Sequence, residues 1–189
     1  MSNILKYTFA MLFSVLLAGC SDEASNPPAP TPEPEPEEVI KNGSLKGTII
    51  GTEWSVDYNN GNSITDQVNA KECVFDGKFN TFFASYLRSG TWVGLDLGEK
   101  HIITKIGYSP RINQPTRVQL AIIEGANKED FSDAVPIHII KEAGEENKMN
   151  YADINCSKGF RYVRYIGPND ARCNLAELAF YGQKGEGDD

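Results

Sequence analysis

Thr91-Trp92-Val93-Gly94-Leu95-Asp96-Leu97 decides the fold. Val93, Leu95 and Leu97 recur at every second position, the period that lays side chains on one face of an extended chain; a helix would need them three and four apart. The same signature continues outward. Residues 102–108, 117–123, 135–140, 160–166 and 175–181 are further runs rich in β-branched and aromatic residues, and clusters of Asn, Gly, Pro and Asp separate most of them. Short strands at regular spacing predict an all-β jelly-roll β-sandwich of about eight strands around one core. No window carries a sustained helical stripe beyond a turn near 128–131, and no internal repeat is present. Trp92, Phe160, Tyr162, Phe180 and Tyr181 lie inside strand patterns and are expected in the core. Trp54, Tyr58, Phe83 and Tyr86 lie in turn-like stretches, where an aromatic is either a loop anchor or a platform for a ligand.

Three segments carry more than a fold class. They are Val74-Phe75-Asp76-Gly77-Lys78-Phe79-Asn80-Thr81-Phe82-Phe83; then 90–98 followed by Ile103-Thr104-Lys105-Ile106; then Arg161-Tyr162-Val163-Arg164-Tyr165 with Asn174-Leu175-Ala176-Glu177-Leu178-Ala179-Phe180-Tyr181-Gly182. In this order and spacing they resemble the discoidin family, the C-type domains of coagulation factors V and VIII, whose bacterial branch includes the family 32 carbohydrate-binding modules. The resemblance spans about residues 44 to 182. It implies a galactose-binding-like sandwich and a non-catalytic module that takes a glycan or glycoconjugate.

The residues themselves point to a hard cation. Asp76-Gly77 makes a tight turn that throws carbonyls to one side, Thr81 adds a hydroxyl and a carbonyl, and Glu177 arrives from the last strand. Two carboxylates with several neutral oxygens, and no thiolate or imidazole, suit calcium. The alternative is an Asp-Gly turn and an exposed strand-end glutamate that never meet. The resemblance implies a structural calcium with side-chain ligands Asp76, Thr81 and Glu177 and carbonyl ligands Cys73, Lys78, Thr81 and Ala176. Lys78 departs from the acidic or polar residue common in that branch, although only its carbonyl is required.

In the sugar-binding relatives the ligand sits among loops at one end of the sandwich, near the calcium. An arginine after a Tyr-x-Pro strand end is a recurrent contact, and Tyr108-Ser109-Pro110-Arg111 matches that position. A guanidinium bonds two vicinal hydroxyls at once and an aromatic ring stacks on a sugar's apolar face, so Arg111 is the first candidate for ligand binding. The competing reading of Arg111 is a structural ion pair. Tyr86 and Arg88, on the loop before Thr91, and Asn169, Asp170 and Arg172, on the 167–173 loop, are further candidates. The histidine that many sugar-binding members place here has no clear counterpart, since His101 and His138 fall at strand starts or interiors; a preference for galactose is therefore not implied.

The flanks read as targeting. Residues 1–19 hold a minimal positive start at Lys6, a short apolar run from Tyr7 to Leu17, and Leu17-Ala18-Gly19 leading into Cys20. The run is too short to span a bilayer as a mature helix, so it reads as a secretory signal. The small residues before a cysteine resemble a bacterial lipobox, which implies lipidation of Cys20, and Ser21-Asp22-Glu23 resembles the tag that sends such lipoproteins to the cell surface. Residues 20–40 form a Pro/Glu-rich spacer with nothing to bury. In polyproline II geometry it would hold a domain about 50 Å from an outer membrane. Residues 41–183 are the sandwich and 184–189 an acidic tail.

With Cys20 lipidated, Cys73, Cys156 and Cys173 remain, and at most one disulfide can form among them. If Asp76 and Glu177 share an ion, Cys73 and Cys173 are neighbours and a 73–173 bridge is favoured; 156–173 and three buried free thiols are the alternatives. The net charge of −8 argues against nucleic acid and against anionic lipid beyond the anchor, because both need clustered Lys and Arg. No hydrolase, protease or nucleotide-binding motif is present, so no enzyme activity is expected. A protein-binding adhesin or envelope-assembly subunit using the same loops is the alternative function. A membrane-binding discoidin domain, with Tyr86-Leu87-Arg88 as its one candidate spike, fits less well with the acidic balance.

Overall fold

A computed structural model describes residues 43–57, 63–65 and 68–185. The signal segment, Cys20, the spacer, Tyr58 and the tail from residue 186 lie outside the described residues.

The strands are β1 (Thr48–Gly51), β2 (Ser55–Asp57), β3 (Ser63–Thr65), β4 (Trp92–Ser109), β5 (Ile122–Ala126), β6 (Val135–Ile139), β7 (Asn150–Asp153), β8 (Gly159–Ile166) and β9 (Glu177–Lys184). Every pairing is antiparallel. The long β4 organises the sandwich. Its first half, Trp92 to Asp96, lies between β1 and β8, and β8 passes on to β5 and β6. Its second half lies between β7 and β9. His101 stands at the change, opposite both Phe160 and Lys184. One strand therefore feeds both layers.

The core lies where the two halves of β4 face each other's neighbours. Val93, Leu95 and Leu97 pack with Ile103, Ile106, Phe160, Val163, Tyr165, Leu178 and Phe180, all buried. A smaller cluster covers the outer face of the first layer. There the Arg164 guanidinium carbon lies 4.1 Å from the Phe131 ring centre and 5.2 Å from that of Trp92, and Nε and Nη2 donate to Glu124 Oε2 at 2.9 and 2.7 Å. Trp92 and Tyr181, expected in the core, are half-buried on outer faces instead, Tyr181 beside Lys105 and Tyr151. Phe83 is a fully buried loop anchor, whereas Trp54 and Tyr86 are 55% and 42% exposed.

Three strand expectations need correction. The runs at 91–97 and 102–108 are one strand, because Gly98 (φ +75°), with its N–H donated to Asp96 Oδ1, re-aims the chain without ending it. The run at 117–123 does not form as a unit. Pro115 fixes φ and opens a 3₁₀ turn over Pro115–Val118, Leu120 sits at φ +70°, and the strand begins only at Ile122. The short β1, β2, β3 and β7 gave no alternation long enough to notice, and β7 is built on Asn150 and Asp153, residues that strands usually avoid.

The favoured 73–173 disulfide is also overturned: Cys73, Cys156 and Cys173 are free thiols. Cys173, at φ +52°, turns its side chain into the main core and is fully buried, while Cys73 stays half-buried on a 3₁₀ helix outside that cluster. Burial pushes the Cys173 thiol well above its ordinary range, so it behaves as a small hydrophobe.

Candidate functional site

The first site grows from the turn after the 3₁₀ helix Lys71–Phe75. Asp76 ends that helix and Gly77 (φ +78°) reverses the chain, so the Lys78 N–H points back to Asp76 Oδ1 at 2.9 Å. The same N–H donates to Glu177 Oε1 at 2.7 Å. Two acceptors on one amide are within about 6 Å of each other, so the carboxylates meet although about a hundred residues separate them. Thr81 Oγ1 lies 2.9 and 2.8 Å from the two Asp76 oxygens and 2.9 Å from the Lys78 carbonyl. Glu177 is fully buried at the start of β9, and its neighbour Ala176 donates its N–H to the Ser109 carbonyl at 2.9 Å. Cys73 lies in the 3₁₀ helix just before the turn. The expected Asp76, Lys78, Thr81 and Glu177 are thus brought together, and Cys73 and Ala176 lie on the two segments that meet here.

This is a set of oxygens able to hold a hard cation. A buried carboxylate is costly unless compensated, by several kcal/mol for an ion out of water. Among the described residues no three His, Cys, Asp or Glu side chains gather as a metal cluster, so any cation here would rest on two carboxylates and neutral oxygens.

The second site begins one residue after Thr81. The Phe82 ring lies under the Arg111 guanidinium, whose carbon is 3.7 Å from the ring centre. Arg111 Nη1 donates to Asn174 Oδ1 at 2.9 Å, and Arg117 Nη1 donates to the same oxygen at 3.0 Å. Arg111 and Arg117 are half-buried and Asn174 is fully buried. A ring beneath and an amide at its edge fix the plane of the Arg111 guanidinium before any ligand arrives. Phe82, Arg117 and Asn174 were not singled out by sequence reasoning. Arg117 was hidden inside a supposed strand, and nothing local in the sequence shows that Asn174 lies between two arginines.

The remaining candidates hold one another. Arg88 Nε donates to Asp170 Oδ1 at 3.1 Å, and the Asp170 N–H donates to Ser89 Oγ at 3.0 Å. Arg172 Nη1 donates to the Ser85 and Tyr86 carbonyls at 3.3 and 2.6 Å, and the Arg172 N–H donates to the Arg88 carbonyl at 3.1 Å. These bonds clasp the 85–90 loop to the 167–173 loop. Asp170, Arg172 and Cys173 all have positive φ, a conformation that non-glycine residues keep only when their surroundings enforce it. Arg172 is therefore a clamp here, and the exposed Arg88–Asp170 pair adds little energy of its own. Asn169 is exposed beside a shallow apolar hollow lined by Leu120, Ile122, Ile166 and Pro168.

No protein-family model and no curated protein matches the sequence. Solved structures do. The module CBM62 from Clostridium thermocellum Xyl5A is 39% identical over 76% of this chain and 99% of its own, with a TM-score of 0.67. A fucolectin from Morone saxatilis (striped bass) serum is 17% identical over 77% of this chain and 48% of its own, at a TM-score of 0.61. The module CpGH89CBM32-5 from Clostridium perfringens, solved with GalNAc-β-1,3-galactose, is 18% identical over 71% of this chain and 94% of its own, at 0.50. The last two share the fold alone; the first shares sequence as well. The expected discoidin-like, galactose-binding-like sandwich is confirmed.

Proposed function

Because this chain belongs to the family 62 carbohydrate-binding modules, we propose that it binds a glycan without cleaving it, through the loop end that carries Arg111. The observation behind this reading is the preset guanidinium: the Arg111 guanidinium carbon lies over the Phe82 ring, 3.7 Å from its centre, and Nη1 is bonded to buried Asn174. A planar donor fixed in advance loses little freedom on binding, and two of its N–H groups match adjacent sugar hydroxyls. Tyr86 and Trp54, both well exposed, offer rings at the neighbouring loops for a sugar's apolar face.

A glycan array probed with residues 41–183 tests it. Sugar binding is expected, and Arg111→Ala should weaken it about 10- to 100-fold, the scale of lost hydrogen bonds to a charged group, with an unchanged circular dichroism spectrum. No sugar bound at any position, with a protein captured instead, would favour the adhesin reading.

We further propose that calcium occupies the Asp76–Lys78–Thr81–Glu177 cluster as a structural ion. The donor chemistry supports this, since hard oxygens suit a hard cation and a divalent charge offsets two converging carboxylates. When bound, the ion would tie the first loop to the last strand.

The placement we propose is an outer-membrane, surface-facing lipoprotein anchored at Cys20, with residues 20–40 as a spacer. Replacing Cys20 by serine (Cys20→Ser) should release the protein from the membrane fraction and abolish incorporation of labelled fatty acid. Persistent membrane association of the variant, with no label on the wild type, would refute the anchor.

A further inference from the structure

The outer face of the first layer changes character at its loop end. Trp92 stands opposite Ile166, Ile166 opposite Ile122, and Ile122 opposite Ile139. Residues directly opposite on antiparallel strands share a face. Their chain neighbours Val93, Tyr165, Ile123 and Ile140 are in the core, so this row of four apolar side chains points outward. Such a face normally carries polar residues, and one row below it does, where Arg164 is bonded to Glu124. Beside the apolar row Leu120 is 68% exposed, and Ile139 at its far edge is 45% exposed. Leu120 also sits at φ +70°, a conformation unfavourable for leucine. Two bonds hold it there: its N–H donates to the Ile140 carbonyl at 2.7 Å, and the Ala121 N–H donates to the Val118 carbonyl at 3.1 Å.

A large apolar side chain left in water and a left-handed backbone each destabilise a fold, and Leu120 carries both costs. What they produce is a hollow. Leu120, Ile122, Ile166, Gly167, Pro168 and Asn169 line about 370 Å³ of space, more than twice the ~150 Å³ that holds a benzene ring. Asn169 brings the one polar side chain, and among the described residues no charged side chain lines it, so the group that fits is neutral. A protein partner needs more surface than this. A stable interface covers about 800 Å² on each side, and of the apolar side chains here only Leu120 and Ile139 are more than a third exposed. The occupant is therefore small. A flat ring buries apolar area while freezing few torsions, which suits a shallow hollow better than a flexible chain does.

The hollow adjoins the proposed sugar site. A methyl group on Gly167 would lie 2.5 Å from the Cys173 Cα, which puts the next residue, Asn174, within about 8 Å of Gly167. Asn174 is the residue to which Arg111 donates. We infer that the hollow is a subsite for an aromatic ring carried by the glycan, as an aryl glycoside or an aryl ester. This inference rests on the glycan-binding reading of the Arg111 loops and adds to it an apolar contact on the other side of the 167–174 loop. Leu120 is the specificity residue, because its exposed side chain walls the hollow and belongs to nothing else in the fold's interior.

The test is isothermal titration of the mature protein with galactose, glucose, mannose, xylose, arabinose and fucose in matched forms. Each sugar is offered as its methyl glycoside, its p-nitrophenyl glycoside and its benzoylated methyl glycoside. At least one aryl form should bind about tenfold or more tightly than its methyl partner, the scale of burying part of an aromatic ring, and the form that gains identifies the linkage. Leu120→Asn removes the apolar wall and puts at φ +70° a residue that tolerates it. It should melt at or above the wild-type temperature, bind the methyl glycosides as before and lose the aryl gain, which separates loss of the subsite from loss of fold. Arg111→Ala should weaken both forms and leave their ratio unchanged. Equal binding of aryl and methyl forms, no aryl form bound when the array returns glycans, or a gain that survives Leu120→Asn would overturn the subsite and leave glycan binding intact. A wild-type dimer in sedimentation that Leu120→Asn dissociates would also overturn it, since a second copy would then cover the hollow. Failure of every glycoside and every array glycan to bind would instead overturn the glycan-binding reading itself, and this inference with it.

Discussion

Removing calcium with a chelator is expected to lower the melting temperature of this domain by roughly 8–11 °C. The size follows from mass action. An ion that binds only the native state contributes about 2.7 kcal/mol at a hundred times its dissociation constant. Each kcal/mol moves the midpoint of a domain of this size by about 3–4 °C. The reason for expecting any effect is local. Glu177 is fully buried, and its Oε1 shares the Lys78 N–H with Asp76 at 2.7 and 2.9 Å. The shared amide sets the two carboxylates side by side, where a divalent ion would offset their like charges.

Glu177→Gln separates the ion from the packing. Glutamine fills the same volume and keeps an oxygen for Lys78, but it removes the charge. In calcium the variant should melt like chelated wild type and should not respond to chelator. In chelator it should equal or exceed the wild type, since one of two opposed charges is gone. Asp76→Ala should also lose the response to chelator, and it should melt lower still because the Asp76 bonds to the Lys78 N–H and Thr81 are lost. A wild type indifferent to chelator, with Glu177→Gln destabilised under all conditions, would show that the protein's own hydrogen bonds hold the pair and that no ion is needed.

The core was legible in the sequence because one of its faces is written at period two. Val93, Leu95 and Leu97 alternate, and all three are buried together. Where a strand is short or polar, as in β7, alternation has too few positions to speak. Where proline starts a turn, as at Pro115, β-branched residues such as Val118 imitate a strand that backbone geometry forbids. The meeting of Asp76, Thr81 and Glu177 was legible for a different reason. Asp-Gly and Thr81 are close in the chain, and the ordered resemblance supplied the distant Glu177. The arginine pair had no such help. Arg111 and Asn174 are separated by 63 residues and Arg117 and Asn174 by 57, and neither sequence neighbourhood hints at the other. Arg88, Asp170 and Arg172 were named from the sequence as separate candidates on two loops. That the two loops are neighbours, and that these side chains clasp one to the other, is visible only in three dimensions.

Gly94→Ala is expected to unfold the domain or to destabilise it by about 4 kcal/mol or more, a size reserved for a few mechanisms. Gly94 sits in the stretch that decides the fold, paired with Arg164 of β8 on one side and Ile50 of β1 on the other. A methyl group there would overlap the Val163 carbonyl oxygen and lie 2.8 Å from the Arg164 Cα. Both are backbone atoms in the centre of the sheet, so neither can swing aside as the end of a flexible side chain would. Relief requires β4 and β8 to part. It also displaces Arg164, whose guanidinium is packed against Phe131 and Trp92 and bonded to Glu124. The damage would therefore spread from the ladder to the outer cluster. Gly90→Ala is the matched comparison. That glycine has φ +71° and nothing within 4 Å of an added Cβ, so the substitution costs only backbone strain, about 1–2 kcal/mol. Urea titration of the two variants beside the wild type measures the difference. Native totals are about 5–15 kcal/mol, so Gly90→Ala should remain folded with a modestly lower midpoint, while Gly94→Ala should have little or no folded baseline. Similar midpoints for the two would mean that β4 and β8 are not held at this spacing, and with them the register that carries Val93, Leu95 and Leu97 into the core.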